Sequence, residues 1–334
     1  MFRYIVKRLL QLIPALFGLS ILLFFWLRLL PGGPENTLLP DDASAQQREA
    51  LRESLGLNEP IIVQYGLFLE RLGNFDFGNS LQTGRPVMDE FTTRFPATAE
   101  LAIAAMLIAV CVGIPLGYFA ARKRGSFLDS SAVAGSLLGI CIPVFFLAAM
   151  LKVVFAEKLG WLPSAFRLDA GARFTEITGF RVLDSVLTGE FDVTASALGH
   201  LILPGLALSS IPLAVITRMT RASVLEVLGQ DYVRTAESKG LQPTVVRTRH
   251  VLRNAMLPVI TAIGLLTGSL LAGAVLTESV FAFGGIGSFI YESTQQRDYP
   301  AILGFLMLIA IIYVVVNLLV DLSYTLFDPR VRVR

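Results

Sequence analysis

The residues able to do acid–base or metal chemistry are few, and their spacing does not favour it. The two histidines, His200 and His250, stand far apart, and the two cysteines, Cys111 and Cys141, each lie inside an apolar run. Cysteines so placed are expected to pack as small apolar side chains, and no disulfide framework or metal cluster is legible. Glu100, Glu278 and Asp321 sit at or within apolar stretches, where a charge is costly and often functional. Asn317 precedes Asp321 by one helical turn, so both can face the same pathway or partner helix. For Glu278 a pathway role and a local pairing role stand level, whereas Glu100 reads as structural. No Gly-x-x-x-x-Gly-Lys-Ser/Thr loop for nucleotide phosphates occurs. The glycines from Gly284 read as a turn, and Asp76–Gly78 lacks the context that would give "DFG" a kinase meaning. A non-catalytic chain with no cofactor and no metal is expected.

The elements that position these residues follow from composition. Of the 334 residues 54% are hydrophobic and only 16% charged, and the mean hydropathy is +0.65. Globular domains carry about 25% charged residues, so a bilayer is the indicated solvent. Crossing about 30 Å of hydrocarbon takes about 20 apolar residues. Six segments are long enough: about 9–30, 97–121, 131–155, 200–220, 257–283 and 302–327. In lipid each must satisfy its own backbone hydrogen bonds, so an all-α membrane protein with six transmembrane helices is predicted. The first segment has a basic start but outruns a signal core of about 7–15 residues, and is expected to be a retained helix.

Charge gives the sidedness. Arg3, Lys7 and Arg8, then Arg122, Lys123 and Arg124, then the seven cations from Arg218 to Arg253, and finally Arg330, Arg332 and Arg334 all fall on one side if the spans alternate. The region 31–96 instead sets five arginines against ten carboxylates. The positive-inside bias then puts both termini in the cytoplasm, with 31–96 and the loop 156–199 outside. These outer regions exceed ordinary connectors and are expected to cap the outer face or meet an extracytoplasmic partner. "ASAQQREALRESLGLNEP" reads as a short polar helix ended by Gly56 and Pro60. Gly264 and Gly268 suit close helix packing, and Pro204 and Pro212 offer the fourth span a place to bend.

Between the fourth and fifth spans lies "QDYVRTAESKGLQPTVVRTRHVLRNAMLP". From Ala222 the residues Val224, Leu225, Leu228, Tyr232 and Ala236 recur at helical spacing, with Glu226, Asp231, Arg234 and Lys239 opposite. Gly240 suits a left-handed helix end onto which Leu241 folds back, and Pro243 suits the first turn of a second helix. Three readings fit: a solvated basic loop, a DNA-binding helix pair, and a lever whose apolar stripe docks in a soluble partner's groove. Spans close on either side restrict docking on DNA, so no nucleic acid is expected.

"RTAESKG" followed by "LRNAMLP" resembles the cytoplasmic loop of ATP-binding cassette (ABC) importer permeases, whose core runs Glu-Ala-Ala-x-x-x-Gly. Ala236 and Gly240 agree, while Arg234 and Thr235 replace Glu and Ala as in the dipeptide/oligopeptide/nickel branch. "LPGGP", "LGLNEPIIVQY", "FDFGNSL", "FPATAEL", "GIPLG", "LTESVFAFGGIG", "RDYPAILG" and "DPRVR" extend the resemblance over nearly the whole chain, which looks most like the first, B-type, permease subunit of dipeptide importers.

The resemblance implies the type I importer permease fold. Residues 1–30 would form the N-terminal transmembrane helix, 31–96 an extracytoplasmic region, 97–327 the permease core with its coupling loop 222–256, and 328–334 a cytoplasmic tail. It implies a homologous second permease subunit, two cytoplasmic ATP-binding subunits, an extracytoplasmic solute-binding protein, surrounding lipid and a peptide substrate. The coupling residues it implies are Asp231, Tyr232, Arg234, Thr235, Ala236, Lys239, Gly240, Leu241, His250, Arg253 and Asn254, with Ala236 entering the ATPase groove. Glu278, Asn317 and Asp321 are candidates for the translocation path or subunit pairing. Nickel, haem, glutathione or antimicrobial peptides are alternative cargoes. A stand-alone proton-coupled secondary transporter is the alternative mechanism.

Overall fold

The computed structural model describes residues 2–29, 39, 43–54, 57–172 and 174–327, except the side chains of 2–12, 27, 271–273 and 321–327. Among these residues the regular structure is helical, with one isolated antiparallel bridge between Asn79 and Pro86. Two compact units are built from interleaved segments, 1–96 with 284–315 and 97–283 with 316–334.

In the first unit, α1 (Phe2–Leu29) packs on α3 (Ile61–Gly73), and Arg28 donates to Gln64 Oε1 at 2.6 Å while lying 3.4 Å over the Phe24 ring. Between them runs the expected polar helix, α2 (Ala45–Ser54), started by a reciprocal cap in which the Ser44 amide donates to the Gln47 side chain and the Gln47 amide to Ser44 Oγ. Its end falls at Ser54, and Gly56 lies outside the described residues. Val87, Phe91, Phe289 and Phe305 form this unit's core. Gly304 is required there, because a Cβ would stand 2.6 Å from Val87 Cγ1 and 2.8 Å from Phe77 Cβ.

The second unit holds most of the long apolar helices. Helix α4 (Val87–Arg122) enters it at Ala97. It is followed by α5 (Phe127–Cys141), α6 (Val144–Leu151, continued by the wider-wound Lys152–Lys158), α7 (Arg181–Thr188) and α8 (Phe191–Leu228). Helix α8 is the centre of the unit, with α5, α6 and α7 packed on it. At Gly117 a Cβ would fall 2.4 Å from the Thr217 carbonyl oxygen, so α4 and α8 meet backbone to backbone. Gly264 and Gly268 are buried, as close packing requires. Pro204 and Pro212 are buried inside an unbroken α8.

Among the described residues the six expected spans are partly recovered. Among the described residues four helices are long and apolar enough to cross a membrane, Val87–Arg122, Phe191–Leu228, Pro243–Leu270 and Tyr299–Val320. A fifth span results if the pair Phe127–Cys141 and Val144–Lys158, bent by 104°, counts as one. The expected first span, 9–30, lies partly outside the described residues, which retain an apolar stretch Ile13–Trp26 of α1.

The third span is therefore not the single helix 131–155 expected. Pro143 has no amide to donate and forces its predecessor out of the helical region; Ile142 is extended, with φ −80° and ψ 123°. The fifth span is also displaced from 257–283. The span begins at Pro243, its helix runs on to Gly273, where the poor helix former glycine holds the last turn, and a separate α11 (Val275–Val280) follows. Cys111 and Cys141 are exposed on the chain's surface rather than packed inside it.

Candidate coupling site

The polar segment is built from a cap outward. Helix α8 stops at Leu228, so the run expected from Ala222 to Ala236 is broken at Gly229 and Gln230. Helix α9 (Asp231–Ser238) follows and closes on Gly240, whose φ of +73° is the left-handed conformation the sequence predicts. The Gly240 amide donates to Glu237 O at 2.9 Å and the Leu241 amide to Ala236 O at 3.4 Å, which satisfies two terminal carbonyls. Pro243 opens α10, which winds through Pro243–Val245, Val246–Leu252 and Arg253–Gly273 without a break. The middle stretch is a π-helix. Its i→i+5 bonding sets residues five apart on one face, so Val246 and Val251 are both buried.

Those two valines join Ala121 of α4, Val224 of α8, Val233 and Ala236 of α9, and Ala255 in one apolar cluster. The second helix of the pair is thus not a short free element but the first turns of a span. Ala236 is 6% exposed and Val233 1%. In this chain Ala236 therefore stands among the apolar contacts that hold α9, and not on its open face.

What α9 exposes is its other face. Asp231 and Arg234 project into solvent and pair loosely at 3.9 Å, and Thr235, Lys239 and Gly240 are open as well. Such an exposed pair contributes little to stability. Tyr232 is half-exposed, and its hydroxyl accepts from Asn254 Nδ2 at 3.0 Å; the same amide donates to the His250 carbonyl at 2.8 Å. His250 therefore serves through its backbone, fixing α9 to the π-helical stretch. Arg253 is exposed beside it. A cleft of about 500 Å³ opens between Tyr118, Arg122, Leu228, Glu237, Leu241 and Arg247, and the 42% exposed Leu241 lines it.

The pathway candidates are not gathered here. Glu278 is completely buried in α11 and accepts from Thr98 Oγ1. After α12 (Ile286–Gln295), Asn317 is half-buried in α13 (Tyr299–Phe327), and the Asp321 side chain lies outside the described residues. Among the described residues no group of three or more His, Cys, Asp or Glu is placed to hold a metal.

Two ion pairs escaped the sequence reading. Arg221 Nη2 donates to Asp129 Oδ2 at 2.9 Å, where Asp129 also takes the Gly125 amide, tying the start of α5 to α8. Ser126 followed three residues later by Asp129 is a helix-start signal that marks the carboxylate, although not its partner. Arg167 Nη2 donates to Glu100 Oε2 at 2.8 Å across 67 residues, a separation that no local pattern reveals.

Two family models match the chain. Residues 113–333 match the binding-protein-dependent transport system inner membrane component, and residues 1–102 match the N-terminal part of the binding-protein-dependent transport system membrane component. A dipeptide transport system permease protein of Alkalihalophilus pseudofirmus is 45% identical over 332 residues, 99% of this chain and 100% of its own length. A di/tripeptide transport system permease protein of Pseudomonas aeruginosa is 44% identical over 99% of both chains. A glutathione transport system permease protein of Escherichia coli is 37% identical over 99% of both.

Proposed function

This chain belongs to the family of inner-membrane components of binding-protein-dependent transport systems, and from that premise we propose that it forms one half of an ABC importer's pathway for dipeptides and short peptides. The relatives named for dipeptides and di/tripeptides match at higher identity than the one named for glutathione, which favours the peptide cargo. A homologous second permease completes the pathway, an extracytoplasmic solute-binding protein delivers cargo, and two cytoplasmic ATP-binding subunits supply the work. Both termini lie in the cytoplasm, 31–96 and 156–199 face outward, and 97–327 forms the permease core. The basic residues around the α8–α10 connection support that orientation.

The observation that carries the reading is the construction of the coupling site. A short helix with an exposed polar face is fixed by its buried face to the first turns of a continuous span. Movement of a partner gripping Asp231, Arg234, Thr235, Lys239 and Gly240 would carry α10 with it as a lever. Tyr232, the His250 carbonyl and Asn254 keep α9 in register on that lever, Arg253 adds an exposed cation beside them, and Ala236 anchors α9 from within.

Gly240→Ile tests this in the complete complex in proteoliposomes. Within this chain a Cβ at Gly240 meets nothing within 4 Å, so the strain falls on the cap's left-handed backbone, which a β-branched residue rarely adopts. ATP-dependent peptide uptake should fall at least tenfold while the cap is displaced. Unaltered uptake and assembly would refute the lever, and proton-driven uptake by this chain alone would refute the importer.

A further inference from the structure

The loop 156–199 is fastened at two places. Glu100, in the outer part of α4, uses both carboxylate oxygens on it: Oε2 accepts from Arg167 Nη2 at 2.8 Å and Oε1 from the Val182 amide at 2.8 Å. Val182 stands in the first turn of α7, where unpaired amides and the helix dipole favour an anion. Arg167 Nη2 also donates to the Gly179 carbonyl at 2.9 Å, and the guanidinium lies 5.8 Å from the Phe283 ring centroid. The turn presenting Gly179 is itself held by buried Asp184, which accepts from the amides of Ile177, Thr178 and Gly179.

The second fastening is to the end of α11 and the residue after it, and Lys152, just before the loop, shares it. The Phe166 amide donates to Phe281 O at 2.8 Å and Lys152 Nζ to Val280 O at 3.0 Å. Phe166 holds a φ of +68°, a conformation unfavourable for a residue with a Cβ and kept only where surroundings impose it. The arrangement has signs of being poised to release. Arg167 and Glu100 are nearly sealed, at 11% and 9% side-chain exposure, yet Arg167 Nε is buried without a hydrogen-bond partner. At their other ends α4 and α10 are joined through Ala121, Val246, Val251 and Ala255.

We propose that residues 156–199 form a strap across the extracytoplasmic ends of α4 and α11, with Glu100 and Arg167 as its clasp, and that the clasp opens in every transport cycle. The two are positioning residues: they hold the outer end of α4 and the α11 segment that follows α10, while the coupling site holds the other ends of α4 and α10. This rests on the importer reading above, and the tests separate the two.

In the complete complex in proteoliposomes, Glu100→Cys and Arg167→Cys are introduced with Cys111→Ser and Cys141→Ser and joined by a short, reducible thiol cross-linker. Linking should cut ATP-dependent uptake at least tenfold and reduction should restore it. Uptake that continues with the clasp linked overturns the strap. Glu100→Gln keeps the acceptor for Val182 but discharges the clasp, and Arg167→Met removes its cation. Each should raise ATP hydrolysis without binding protein or peptide about threefold or more, and combining them should add little. Hydrolysis unchanged in both variants also overturns the strap, whether or not the cysteine pair assembles. Absence of ATP-dependent uptake by the unaltered complex would contradict the importer reading instead.

Discussion

At the residue scale, backbone conformation was easier to read than pairing. Gly240 was legible because a polar helical turn, a glycine, an apolar residue and a proline follow each other locally, and its φ of +73° agrees. The Glu100–Arg167 and Asp129–Arg221 pairs were not, since each joins residues from distant parts of the chain. Asp184 shows what such placement does to a charge. Burial alone would raise its pKa, but the Thr178 hydroxyl and the amides of Ile177, Thr178 and Gly179 outweigh burial and hold it below the ordinary carboxylate value. A depressed folded-state pKa stabilises the loop above the unfolded value of about 4 and ceases to do so as pH falls through the folded one. Protease resistance of 156–199 should therefore persist at pH 5 and decline in more acidic solution. Asp184→Asn should flatten that dependence, and an unchanged profile would mean that another group sets it.

Among elements, helical character followed from apolar length, but breaks depended on chemistry that hydropathy does not weigh. Pro143 splits the third expected span because ring and missing amide act on a single turn inside an otherwise uniform apolar run. The π-helical stretch 246–252 reads in sequence as ordinary helix, because only its burial of Val246 together with Val251 betrays the wider winding. The contact of α4 with α8 depends on Gly117 having no side chain. Gly117→Ala should destabilise the protein by about 1–3 kcal/mol through overpacking against the Thr217 carbonyl. Gly18→Ala in α1, where a Cβ meets nothing within 4 Å, should be neutral or slightly stabilising. Thermal unfolding of the two variants in one detergent makes the comparison, and equal midpoints would count against backbone contact between α4 and α8.

For the whole molecule, the membrane class was legible because too few charges are present for a wet surface, and the order of motifs carried the family. The direction in which α9 faces was not legible. Its period marks an apolar stripe, yet only tertiary packing decides whether that stripe meets this chain or another. Val233 and Ala236 turn inward, leaving Arg234, at 72% side-chain exposure, to face any partner. The account therefore rests on a lever gripped by its polar face. Single cysteines at Arg234→Cys and Ala236→Cys, with Cys111→Ser and Cys141→Ser, would be cross-linked in the intact complex with and without ATP. The account predicts capture of an ATP-binding subunit from position 234, with a yield that changes on ATP binding, and little or none from position 236. Equal capture from both positions, or capture from 236 alone, would contradict it.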